Sequence, residues 1–192
     1  MEELQLVTRA RSHGSSVAIR SGTDEWSYDE LLNRSAHLAV ALLADVDDLS
    51  ESRITYLVPA GFDYVSVQWA IWRAGGVAVP LSLSATESEL EYTLTDSQPC
   101  CVVVTAAFAE KTSGLCARLG LQQLIVDEVV EPRDDSPLLP VITNERRAMI
   151  LYTSGTTSKP KGVVTTHANI ESQIESLIDA WQWGCTDRIP LF

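Results

Sequence analysis

At 192 residues, with 45% hydrophobic and 21% charged side chains, the chain has the balance of a globular domain and excludes the disordered and membrane-spanning classes. Acidic residues number 26 against 14 basic ones, a formal charge of −12, which argues against nonspecific binding to nucleic acid or anionic lipid and requires a local positive patch for any anionic ligand. No apolar run approaches the roughly 18 residues that cross a bilayer, and the start MEELQLVTRARSHG lacks the apolar stretch of a secretory signal, so a cytoplasmic location without a membrane span is expected.

In chain order, residues 17–20 (VAIR) and 25–27 (EWS) predict two short strands around a turn at Gly22. Ser27 and Glu30 stand at capping-box spacing and open a helix, whose apolar face (Leu31, Leu32, Ala36, Leu38, Ala39, Leu42, Leu43) runs to about Ala44. The acidic loop DVDDLSES follows. Residues 53–58 (RITYLV) predict a buried strand stopped by Pro59, residues 63–74 a helix closed by Gly75 and Gly76, and VAVP a further strand. A second capping box, Thr86 with Glu89, opens a helix to about Asp96. Then come a strand at 101–105 (CVVVT), a helix at 106–119 and a strand at 123–126 (QLIV). This alternation predicts an α/β fold with a mostly parallel sheet and crossover helices. The polar stretch 127–147, with Pro132, Pro137, Pro140, Asp134 and Asp135, is a candidate subdomain boundary, and AMILYT (148–153) is a strand after it. There is no internal repeat. The 4 cysteines, Cys100, Cys101, Cys116 and Cys185, have neither C-x-x-C nor zinc-finger spacing and read as reduced thiols that fill space.

Residues 153–162, TSGTTSKPKG, concentrate the chemistry. Gly155 and Gly162 let backbone N–H groups approach an anion, the hydroxyls of Thr153, Ser154, Thr156, Thr157 and Ser158 can donate to phosphate oxygens, and Lys159 and Lys161 supply compact positive charge. The loop is not a Walker A loop, because five residues after Gly155 stands Pro160 where a second glycine is required. Pro160 disfavours helical geometry at Lys159, and GVVTTH (162–167) reads as extended. The expectation is a strand-to-strand phosphate clamp; the bland alternative is a flexible surface turn.

The full string YTSGTTSKPKGVVTTHANI, Tyr152 to Ile170, resembles the signature of the acyl-adenylate-forming superfamily, which includes acyl-CoA synthetases, firefly luciferases and nonribosomal peptide adenylation domains. The family usually has glycine where Ser158 stands. Upstream, WSYDELLNRSAHLAVALL and FDYVSVQWAIWRAGGVAVPL look like the same family, so the resemblance covers essentially the whole chain. It implies that residues 1–192 are a partial AMP-binding domain, the amino-terminal part of the family's large domain, with the carboxy-terminal domain absent.

The resemblance implies ATP and Mg2+ as cofactors, a carboxylic acid as substrate, and coenzyme A or a carrier-protein thiol as acceptor. Thr153, Ser154, Thr156 and Thr157 would donate to the β and γ phosphates, Lys161 would neutralise the pyrophosphate, and Thr156 would approach the magnesium, whose protein ligands are otherwise unknown. Lys159 reads as a solvated lysine, His167 as a helix-start residue that packs, and Phe62 and Trp69 as core. Residues 173–189, QIESLIDAWQWGCTDRI, look most like members acting on malonate or short to medium acyl acids. The family's acyl and adenine pockets, metal-binding glutamate and catalytic lysine lie downstream of the loop. The chain alone is therefore expected to carry no catalytic residue, to bind phosphates weakly and to self-associate through exposed apolar surface. The alternatives are a noncatalytic phosphate-binding or regulatory remnant, an adenylation domain loading a carrier thiol, and an unrelated α/β phosphate binder.

Overall fold

Capping boxes start the helices where the spacing places them. In the computed structural model, which describes residues 4–130, 138–153, 159–184 and 187–190, the Glu30 amide donates to the Ser27 hydroxyl at 3.2 Å while the Ser27 amide donates to the Glu30 carboxylate at 2.7 Å, opening a helix over Tyr28–Leu43. Thr86 and Glu89 do the same for the helix over Glu87–Ser97. A third box, Thr166 with Asn169, opens the helix over His167–Trp181. Each box satisfies amides that the first helical turn leaves without partners.

In order, the elements are α1 (Gln5–His13), β1 (Val17–Ser21), β2 (Asp24–Ser27), α2 (Tyr28–Leu43), β3 (Arg53–Leu57), α3 (Phe62–Arg73), β4 (Val77–Pro80), α4 (Glu87–Ser97), β5 (Cys101–Val104), α5 (Ala106–Leu119), β6 (Gln122–Ile125), β7 (Arg147–Thr153), β8 (Lys161–Thr166) and α6 (His167–Trp181). β1 and β2 form an antiparallel hairpin. The other strands form one sheet in the order β6-β5-β3-β4-β7-β8, with β8 alone antiparallel to its neighbour. The α/β, mostly parallel expectation holds. β6 lies one residue earlier than the sequence pattern placed it, because Val126 turns into a short 3-10 helix over Val126–Glu128.

The central strands β3, β4 and β5 are covered on both faces, whereas most of β8 is exposed. Ile54 and Tyr56 of β3 point into a core with Leu31 and Leu38 of α2 and Val67, Ile71 and Trp72 of α3. Leu57 points the other way, among Leu90 and Leu94 of α4, Val102 and Val104 of β5, and Leu115 of α5. Strands buried on both faces read as continuous apolar runs, which is why RITYLV and CVVV gave no period-2 alternation. The chain leaves β3 on the α3 face and leaves β4 and β5 on the α4–α5 face, so connections diverge at the carboxyl edge of neighbouring strands, where open α/β sheets place their ligands.

Of the candidate boundary, residues 131–137, with Pro132, Asp134, Asp135 and Pro137, lie outside the described residues. Downstream of them Ile142 is buried in the larger core. At the opposite, amino edge of the sheet, Arg146 donates two hydrogen bonds to Asp48, at 2.7 and 2.8 Å, and one to the Gly75 carbonyl at 2.8 Å. Gly75 has φ +80° and a Cβ there would collide with the Asp48 carboxylate. Gly75→Ala therefore combines backbone strain with a broken ion pair and is expected to cost about 2 kcal/mol, read as a lower urea midpoint at unchanged slope.

Candidate phosphate-binding site

β7 and β8 carry the two ends of the TSGTTSKPKG segment. β7 lies beside β4, with Ala78 paired to Met149, and so delivers Thr153 to the carboxyl edge of the parallel strands. β8 returns antiparallel in a register that sets Tyr152 opposite Gly162 and Thr153 opposite Lys161. Thr153, Lys159 and Lys161 are exposed, and Pro160 is half-buried. Ser154, Gly155, Thr156, Thr157 and Ser158 lie outside the described residues. The described residues on either side, in β7 and β8, are extended and paired antiparallel, as the sequence around Pro160 predicts.

Two tyrosines tie the ends of this hairpin mouth to α4. The Tyr92 hydroxyl donates to the Pro160 carbonyl at 2.9 Å, and the Lys159 ammonium lies 5.6 Å from the centre of the Tyr92 ring, within cation–π range. The Tyr152 hydroxyl donates to Asp96 at 2.6 Å. Burial, and then that hydrogen bond, push the Tyr152 phenol well above its ordinary value, so it stays a donor at neutral pH. The two rings meet edge to face at 6.4 Å. Tyr92 and Asp96 are four residues apart and share a helix face.

Gly162 completes the packing. A Cβ on it would lie 2.8 Å from Ile150 Cγ2 and 3.4 Å from the Tyr152 ring. The glycine thus also makes room for the tyrosine that lies across β8. Sequence reasoning missed Tyr92, Asp96 and Tyr152, for which the only signal was the Tyr-x-x-x-Asp spacing on α4.

The residues read as packing groups are placed as such. His167 is buried and stands edge-on to Trp72 at 5.7 Å. Burial, then the neighbouring Arg146 charge, push its imidazole down to about 4, so it is neutral near pH 7. Trp69 is buried and Phe62 stacks on Trp26 at 4.9 Å. Cys100, Cys101 and Cys116 are free thiols; Cys116 is buried and Cys101 half-buried, but Cys100 is exposed and does not fill the core as expected. Desolvation raises all three, Cys101 to about 12, which favours the protonated thiol. Cys185 lies outside the described residues. Among the described residues, no group of three or more His, Cys, Asp or Glu side chains could hold a metal ion; the described donors at the hairpin mouth, ammonium and hydroxyl, suit an anion.

The profile of the AMP-binding enzyme family matches residues 6–191. The chain belongs to this family. The mitochondrial malonate–CoA ligase of Mus musculus is 37% identical over 190 residues, which cover 94% of this AMP-binding chain and 33% of the relative. The malonate–CoA ligase of Arabidopsis thaliana is 30% identical over 196 residues, covering 90% and 32%. Among solved structures, ATP-bound MatB from Rhodopseudomonas palustris superposes with a TM-score of 0.79 at 26% identity, covering 94% of this chain and 38% of that one. The o-succinylbenzoate CoA synthetase of Bacillus subtilis, with its acyl-adenylate intermediate, gives a TM-score of 0.85 at 24% identity over 99% and 50%, and shows the fold alone. The chain spans about a third of the length of the curated relatives it matches.

Proposed function

We propose that this AMP-binding chain is the amino-terminal, phosphate-handling part of an ATP-dependent acid–CoA ligase. The observation that carries the reading is the hairpin mouth, where Lys161 faces Thr153 at the carboxyl edge of the parallel strands in a chain whose charge of −12 otherwise disfavours anions. A carboxylate oxygen of the acid attacks the α-phosphorus of ATP, the bond from that phosphorus to the bridging oxygen breaks, and pyrophosphate leaves with the electron pair. The thiol sulfur of coenzyme A then attacks the acyl carbon and displaces AMP.

In this reading the hydroxyls of Thr153, Ser154, Thr156 and Thr157 donate to the β and γ phosphates, and Gly155 and Gly162 let the backbone come close. Lys161 offsets the charge that grows on the departing pyrophosphate. Ser158 and Pro160 complete the loop, and Lys159 stays a surface cation held over Tyr92. Magnesium bound with the nucleotide would supply further positive charge to the phosphates, and Thr156 is the loop hydroxyl that would approach it. Relatives named malonate–CoA ligases favour malonate or another short acid as substrate and coenzyme A over a carrier thiol as acceptor.

Isothermal titration of the 192-residue chain with Mg·ATP and with pyrophosphate tests the phosphate assignment. Weak binding that drops about tenfold or more in Lys161→Ala, the scale of a lost charge-assisted contact, supports it. Equal binding by parent and variant, or none by the parent, removes it. Thioester formation from a panel of acids, by a protein of the relatives' length that carries this chain, tests the substrate; turnover of a long-chain or aryl acid in preference to malonate overturns the malonate assignment.

A further inference from the structure

We infer that Tyr92, Asp96 and Tyr152 are positioning residues that hold both shoulders of the phosphate loop in register, an inference that rests on the phosphate assignment above. Their hydrogen bonds divide the work. Tyr92 reaches the carbonyl of Pro160 on the β8 side, and Asp96 receives the hydroxyl of Tyr152 on the β7 side. Both anchors sit on α4, so the two shoulders are referred to one rigid body.

α4 is suited to that role. Its amino end is closed by the Thr86–Glu89 box, and Leu90 and Leu94 are buried against β5 and α5. The face bearing Tyr92 and Asp96 adds nothing to that buried core: Tyr92 is half-buried and Asp96 exposed. What these side chains touch is the hairpin mouth. Gly162 belongs to the same device, since a side chain there would drive into Ile150 and Tyr152 and displace the ring that Asp96 holds.

The physical value of the arrangement is preorganisation. Side chains that bind a phosphate lose conformational freedom in doing so, and part of that loss is removed in advance where the strands that carry Thr153 and Lys161 are fixed. Register matters as well, because Thr153 and Lys161 face each other only while Tyr152 stays opposite Gly162. The ring of Tyr92 also lies beneath the Lys159 ammonium, which keeps that flexible cation beside the β8 shoulder.

The test compares Tyr92→Phe, Tyr152→Phe, Asp96→Ala and Asp96→Asn in the 192-residue chain, with inorganic pyrophosphate as the probe. Tyr92→Phe keeps the ring and loses one hydrogen bond. It is expected to hold the unfolding midpoint within about 2 °C, to raise hydrogen exchange at the amides of Lys159, Lys161 and Gly162, and to weaken pyrophosphate about fivefold, the scale of one net hydrogen bond. Asp96→Asn, which can still accept from Tyr152, should stay near the parent where Asp96→Ala does not. A positioning role further requires that Tyr92→Phe have no added effect on pyrophosphate in the Lys161→Ala background, whereas general destabilisation would add. Parent-like affinity and exchange in Tyr92→Phe and Asp96→Ala, with Lys161→Ala still defective, overturn the positioning inference and leave the phosphate assignment standing. Parent-like affinity in Lys161→Ala removes both. If Tyr152→Phe fails to fold, the comparison of Asp96→Ala with Asp96→Asn reads the same contact.

Discussion

Trp72→Ala is expected to destabilise the chain by about 3–5 kcal/mol, the cost of emptying a large buried aromatic site. Trp72 is 4% exposed and lies in the larger core. Its indole N–H donates to the Ala148 carbonyl in β7 at 2.7 Å, and its ring meets His167 edge-on. One side chain of α3 therefore braces both the strand that enters the phosphate hairpin and the helix that leaves it. Truncation leaves a cavity and an acceptor without its donor, two penalties that add. Trp72→Phe, which keeps one aromatic ring but loses the donor and part of the indole volume, should cost about 1–3 kcal/mol. Urea unfolding of the two variants separates the contributions. Equal losses would mean that the hydrogen bond, and not the packing, holds the hairpin base; a loss below about 1 kcal/mol in Trp72→Ala would mean that the hairpin docks without this brace.

Much of this fold is legible in the sequence because it is written in local signals. Ser27 with Glu30 and Thr86 with Glu89 announce helix starts by spacing alone. Gly75 after α3 and Pro59 after β3 mark where elements stop, and apolar runs flanked by turns mark strands buried on both faces. The third box escaped because Asn169 does the work usually given to glutamate or glutamine. Strand order was not legible, since adjacency of β3 to both β4 and β5 is decided by which helix covers which face.

The site divides the same way. The composition of residues 153–162 points to phosphate, and Pro160 points to a strand-to-strand loop. Nothing in the string shows that its shoulders are fastened to α4, because Tyr92 and Asp96 stand 68 and 56 residues from their partners. Long-range side-chain pairs of this kind leave no periodicity to read. His167 shows the opposite case: although it adjoins the motif, its place at a helix start already read as packing, and it is buried against Trp72.

That burial has a consequence in acid. The imidazole is pushed down to about 4 in the folded chain, first by desolvation and then by Arg146, against a smaller opposing pull from Glu51. In the unfolded chain the same group titrates near 6.5. Above that value both states are neutral and the full stability is present. As pH falls from 6.5 toward 4 the unfolded chain takes up a proton that the folded chain refuses, so stability declines across that interval, by an amount on the order of 3 kcal/mol if the whole shift is expressed. The carboxylate of Asp48, held low chiefly by its hydrogen bonds from Arg146, contributes a separate loss only from about pH 4 downward, so the two are distinguishable by window. His167→Phe keeps an aromatic ring beside Trp72 and cannot titrate. Urea unfolding at pH 7, 6, 5 and 4 should therefore show the parent losing stability relative to the variant over this range, with the difference between them shifting most between pH 6 and 4. A constant difference across all four values would mean that His167 accepts its proton in the folded chain as readily as in the unfolded one, and that α6 yields at its amino end to let water reach the ring.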